Sequence, residues 1–89
     1  MQRKANFYVY ILECKNKTLY TGYTKNLEKR IKLHNSDYGA KYLRGKTPVE
    51  LVYYKAYKYF KSALNAEREI KKLRKYQKEE LINAYRRQK

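Results

Sequence analysis

The stretch "VYILECKNKTLYTG", Val9 to Gly22, holds the key to the rest of the chain. Its first part belongs to "NFYVYILEC", an apolar run rich in β-branched and aromatic residues, which reads as a buried strand. "KNK", Lys15 to Lys17, has the length of a three-residue hairpin loop, and "TLYTGY" reads as the returning strand. That loop sets Cys14 opposite Thr18, Leu12 opposite Tyr20 and Tyr10 opposite Gly22. Cross-strand partners share a face, so Tyr10, Tyr20 and Gly22 come together. A slip of one residue sends Tyr20 to the other face, so the length of the loop decides whether the two phenols meet. Gly22 then leaves a gap beside the Tyr10 phenol. The plain alternative is a glycine that marks a strand end or bulge. The chain has 12 tyrosines, so two on strands could equally be core.

Outward from the hairpin, Met1 to Ala5 is a short basic arm. Thr24 or Asn26 can cap a helix through "LEKRIKLHN". "SDYGAKYLRGKTP", Ser36 to Pro48, holds two glycines and the only proline and reads as a loop. "VELVYYKAY" is a third strand. Ser62 caps a helix from Ala63 to about Lys75, and a last helix covers Lys78 to Arg87. The order ββαβαα predicts one α+β domain over residues 1–89, a small three-stranded antiparallel or mixed sheet flanked by three helices.

The first helix carries polar residues where apolar ones are expected. With Leu27 at the origin and about 100° per residue, Ile31, His34 and Arg30 fall within about 60° of it, while Glu28, Lys29 and Lys32 take the opposite arc. A guanidinium in an apolar sector needs an anionic or hydrogen-bonding partner, because burying it alone is costly. His34 is the only histidine, so any histidine chemistry must use it. In the second helix Ala63, Ala66, Ile70 and Leu73 form an apolar stripe with Glu67 at its border. Glu67 is either a surface partner of Lys71 or a ligand for a hard cation such as Mg²⁺, which often takes only one or two carboxylates.

Composition narrows the function. Among 89 residues, 23 Lys and Arg face 8 Asp and Glu, a formal charge of +15. Such a domain repels itself, and a polyanion offsets that repulsion. Nucleic acid is the first candidate, through neutralised phosphates and released counterions. A lysine-rich surface kept for solubility is the plain alternative. The apolar run Phe7 to Leu12 is too short for a signal peptide or a membrane span. A single cysteine, Cys14, fits a reducing cytoplasm. A chain of this size buries only roughly 60% of its unfolded surface, which leaves little room for a second function.

"YVY" (Tyr8 to Tyr10), "YTG" (Tyr20 to Gly22), Arg30, His34 and Glu67, in that order and at those spacings, resemble the GIY-YIG nuclease superfamily. "GAKYLRGKTPVELVYY" is similar to its small stand-alone bacterial and archaeal members, and the resemblance covers about residues 6–85. It implies a three-stranded sheet with helices and metal-dependent cleavage of phosphodiester bonds in DNA. Tyr10 matches a proposed general base and Tyr20 the second tyrosine of the active site. Arg30 matches the arginine on the scissile phosphate, His34 a proton-transfer partner of some branches, and Glu67 the single metal-binding carboxylate. One Mg²⁺ or Mn²⁺ is the expected cofactor. Thr21 and Val9 stand where the family motifs have isoleucine, and Tyr8 where they have glycine. Asn83 is the nearest asparagine to one that some members carry after the glutamate.

The expected activity is therefore a DNA endonuclease for branched or single-stranded structures, linked to repair, with a partner protein for targeting. Arg30 and a bound cation would favour the phenolate of Tyr10. Lys41, Arg44 and Lys46 in the loop would meet phosphates, and Tyr38 or Tyr42 would stack on an unpaired base. The rival is a nucleic-acid-binding module without catalysis, RNA- or ribosome-associated. It accounts for the charge and the aromatics, but not for Arg30 and His34 in an apolar sector.

Overall fold

The computed structural model describes residues 6–36 and 45–88. Lys41, Tyr42 and Arg44, with Tyr38, lie outside them. The elements are β1 (Phe7–Glu13), β2 (Leu19–Thr24), α1 (Leu27–Asn35), β3 (Glu50–Tyr57), α2 (Phe60–Lys72) and α3 (Lys75–Arg87). The sheet has the order β2-β1-β3, antiparallel throughout.

The hairpin loop is three residues long. Cys14 N–H donates to Thr18 O at 2.8 Å and Lys17 N–H to Cys14 O at 2.9 Å. Lys17 takes the left-handed conformation (φ 73°) that such a loop requires at its last residue. Asn16 Oδ1 accepts from the Thr18 hydroxyl at 2.7 Å. The register follows: Leu12 pairs with Tyr20 and Tyr10 with Gly22.

Alternation along β1 divides the core. Val9 and Ile11 face one way, with Phe7 at the border, and pack with Val52, Ala63, Ile70 and Ile82 beneath α2 and α3. Tyr10, Leu12 and Cys14 face the other way and pack against Leu27 and Ile31 of α1. A bulge on β3 skips Val52, since Ile11 pairs with Tyr53 but Leu12 with Leu51. Val52 and Tyr53 can therefore both join the core under α2 and α3, although they are consecutive.

Two helix starts differ from the sequence expectation. Ser62 is not a cap: α2 begins at Phe60, with Tyr59 at its N-cap and no side-chain cap bond. The Phe60 ring lies 5.6 Å from Phe7 and 5.6 Å from Tyr23. Packing against the sheet thus orders the first turn, where local sequence gives no cap. The last helix begins at Lys75 rather than Lys78, because Gln77 Oε1 accepts the Arg74 N–H at 2.8 Å, one half of a capping box.

Thr21 is buried, and its Oγ1 is the one buried side-chain polar atom among the described residues without a hydrogen-bond partner. It pairs with Ile11 on the face beneath α2. Thr21→Val keeps the shape and removes an unsatisfied hydroxyl. We expect it to raise unfolding free energy by about 1 kcal/mol, read as a higher urea midpoint at unchanged slope.

Candidate active site

A cavity of about 680 Å³ opens along β2, an edge strand, where α1 from one face and α2 from the other reach the same rim. Tyr10, Tyr20, Gly22, Arg30 and Glu67 all line it, with Lys25 and Lys29 among the cationic residues around them. Lys29 belongs to the solvated arc of α1. The cavity is open to solvent, so that arc still reaches its mouth.

Tyr10 is 1% exposed and forms the floor. Its oxygen fits because position 22 has no side chain: a Cβ there would come within 2.7 Å of Tyr10 Oη and 3.3 Å of the Tyr20 ring. Real Cβ atoms essentially never come as close as the first of these distances, and a fully buried tyrosine has nowhere to move. Gly22 is thus the space beside the phenol, and neither a strand end nor a bulge. The Tyr20 ring lies 6.4 Å from Tyr10 and meets His34 edge-on at 5.6 Å.

His34 is 1% exposed and does not line the cavity; it stands behind Tyr10, with Nε2 3.2 Å from the phenol oxygen. Arg30 lines the same cavity, and its charge acts on the Tyr10 phenol. In the tautomer that leaves Nε2 unprotonated, the phenol O–H donates to it. Arg30 is half-buried and lines the open cavity, so its place in the apolar sector does not enclose the guanidinium. The next residue, Asn35, fixes the end of α1: its Oδ1 accepts the Val49 N–H of the chain entering β3 at 2.7 Å. Sequence reasoning missed that tie, whose only signal was an asparagine in the last turn of a helix.

The protonation states follow from burial. Burial disfavours the phenolate and pushes the Tyr10 pKa well above its ordinary 10.0; Tyr20 adds to the rise, and Arg30 opposes it without prevailing. Without substrate Tyr10 is a neutral phenol, and the expected pull of Arg30 toward the phenolate is outweighed. Burial lowers the His34 pKa below 6.5, and the charge of Arg30 lowers it further. His34 is thus a neutral imidazole at pH 7. The unfolded chain binds that proton more readily than the folded one, so the stability is present above about pH 6.5 and is lost as pH falls through the lower folded value. The urea midpoint should drop between about pH 7.5 and 5, and drop less in His34→Gln, which cannot take the proton. Equal acid loss in both proteins contradicts a buried neutral His34.

Among the described residues Glu67 is the one carboxylate that lines the cavity. Its side chain is 13% exposed and meets Lys71 Nζ at 3.4 Å. The surface pair foreseen from the sequence exists, and the carboxylate also faces the cavity. Among the described residues no group of three or more His, Cys, Asp or Glu could hold a metal. One carboxylate in an open, water-accessible cavity suits a hard cation that keeps water and takes phosphate oxygens, and does not suit an all-protein cage. Lys46 does not line the cavity; its carbonyl accepts Lys15 N–H at 2.9 Å beside the hairpin loop. Asn83 lines a separate cleft of about 210 Å³ with Glu13, Glu79 and Arg86. No helix among the described residues is long and apolar enough to cross a membrane.

Residues 6–80 match the model of a family described as the GIY-YIG catalytic domain. A UPF0213 protein of Clostridium perfringens is 54% identical over 77 residues, covering 86% of this chain and 83% of its own length. One of Natronomonas pharaonis is 49% identical over 78 residues, covering 88% and 92%. Two solution NMR structures share the fold. Protein EF2693 from E. faecalis has a TM-score of 0.64 at 35% identity, covering 97% of this chain and 92% of its own. The UPF0213 protein BH0048 from Bacillus halodurans has a TM-score of 0.59 at 46% identity, covering 88% and 83%.

Proposed function

The chain belongs to the GIY-YIG nuclease family, and from that premise we propose that it is a metal-dependent endonuclease hydrolysing phosphodiester bonds in branched or single-stranded DNA during repair. The observation that carries the proposal is the buried Tyr10 phenol, hydrogen-bonded to His34, at the floor of a cavity that Arg30 and, alone among the described carboxylates, Glu67 also line.

In the proposed reaction a water attacks phosphorus. Its proton passes to Tyr10 Oη as the phenol proton passes to His34 Nε2. The buried phenol thus acts as base without first becoming a phenolate, and the neutral imidazole receives the charge. Arg30 neutralises charge developing on the phosphate oxygens. Tyr20 packs against both rings and bounds the space left for the phosphate. Glu67 would hold one Mg²⁺ or Mn²⁺, which when bound supplies further neutralisation of the phosphate and the leaving oxygen. The formal +15 draws the polyanion in.

A non-catalytic nucleic-acid-binding module is the second reading, favoured by the Glu67–Lys71 ion pair. The two part in a simple assay. Purified protein is incubated with labelled duplex, single-stranded, flapped and branched DNA, and with RNA, in Mg²⁺, Mn²⁺ or EDTA. Cleavage of a branched or single-stranded DNA that EDTA stops is the expected result. Binding without cleavage in either metal supports the module instead.

A further inference from the structure

Beside the cavity lies an aromatic surface that the hydrolytic chemistry does not use. Tyr59 is 62% exposed and Phe60 is 45% exposed, although Phe60 touches two other rings. Those rings are Phe7 and Tyr23, each at 5.6 Å. Tyr23 also lines the catalytic cavity, as does Lys25, whose ammonium lies 5.8 Å above the Phe7 ring. Tyr23 and Lys25 therefore belong to both places, and the patch continues the cavity rather than standing apart from it. Lys58 Nζ lies 5.5 Å over the Tyr59 ring, and Lys61 is exposed in the first turn of α2.

Single exposed apolar residues are ordinary on a small domain. Exposed rings with ammonium groups close by, here Lys58 over Tyr59 and Lys25 over the Phe7 ring that Phe60 packs on, are the combination that holds an unpaired strand: bases stack on the flat faces while lysines meet the phosphates. A duplex keeps its bases stacked inside and has none to offer. Lysines over rings also disfavour an apolar protein partner, which would have to bury their charge.

We propose that Tyr59 and Phe60, flanked by Lys25, Lys58 and Lys61, form a stacking platform for unpaired DNA next to the bond that is cut. The proposal rests on the nuclease reading for the location of that bond, and it deepens it by naming a substrate feature: one or two unpaired nucleotides on one side of the cleavage point. Stacking expected of Tyr38 or Tyr42 falls outside the described residues, whereas this surface lies within them.

The test separates ring from charge and binding from cleavage. Tyr59→Ala removes a side chain that is mostly solvent-exposed. Phe60→Leu keeps an apolar anchor for α2 and removes the flat face. Affinity is read in EDTA at fixed salt, for single-stranded DNA and for duplex of equal length. Each variant should lose about tenfold on the single strand, the effect of one lost stacked base, and less than twofold on duplex. 2-Aminopurine placed in the single strand should be quenched by the wild type and not by Phe60→Leu. Circular dichroism and the urea midpoint check that both variants fold. Equal loss on single strand and duplex overturns the proposal, as does no loss on either. Vesicles carrying phosphatidylserine that lose binding in Tyr59→Ala, with single-strand affinity intact, overturn it in favour of a lipid surface. Because these readings need no cleavage, an inactive wild type leaves the platform testable. Cleavage by an unaffected Phe60→Leu variant sinks the platform and spares the nuclease.

Discussion

Tyr10→Phe should fold, bind DNA and fail to cut. Only Oη is lost, so the ring still fills the floor of the cavity beneath Gly22. Stability should fall by about 1 kcal/mol, the cost of one hydrogen bond whose partner, His34 Nε2, stays buried. The catalytic loss should be far larger. Without Oη the attacking water has no route to His34, and a general base contributes about 10²- to 10⁴-fold. The reading is a single-turnover rate at saturating protein, beside DNA affinity in EDTA. Turnover within about threefold of wild type would remove Tyr10 from the reaction, since that is under 1 kcal/mol of barrier.

Glu67→Ala divides enzyme from binding module most sharply. As the partner of Lys71 alone, an i,i+4 pair whose lysine is 55% exposed, its carboxylate contributes only a few tenths of a kcal/mol to stability. As the one protein ligand of a cation that neutralises the transition state, its loss should cost several kcal/mol of barrier, about a thousandfold or more in rate. The variant should therefore keep its urea midpoint within error and lose cleavage. It should bind DNA in EDTA at least as tightly as wild type, because a negative charge beside the phosphates is gone. Cleavage retained within about threefold contradicts the metal site.

Much of this arrangement was legible in the sequence because one local feature controls it. A three-residue loop at Lys15–Lys17 fixes the hairpin register, and the register alone puts Gly22 opposite Tyr10. Helical spacing alone set Arg30 and His34 with Leu27 and Ile31, and the structure supplies the reason: His34 meets the Tyr10 hydroxyl, and Arg30 lines the cavity that Tyr10 floors. What was not legible depends on contacts between distant segments. The first turn of α2 is held by Phe60 on Phe7 and Tyr23, so no cap residue announces it. The bulge at Val52 arises from pairing with β1 and leaves no mark in "VELVYYKAY". The balance between burial and Arg30 at Tyr10 depends on how completely the phenol is enclosed, which a sequence does not state. Tyr23 and Lys25 reach the cavity because β2 is an edge strand, a fact of strand order.

The most direct measurement starts the reaction on a complex already formed. Wild-type protein is bound in EDTA to branched DNA with a labelled unpaired arm, at a concentration that saturates it. Excess Mg²⁺ is then added and the labelled strand is resolved over time. The account predicts one cut strand, formed with a single first-order rate and stopped by renewed chelation. DNA that stays bound and intact in Mg²⁺, and again in Mn²⁺, would contradict it.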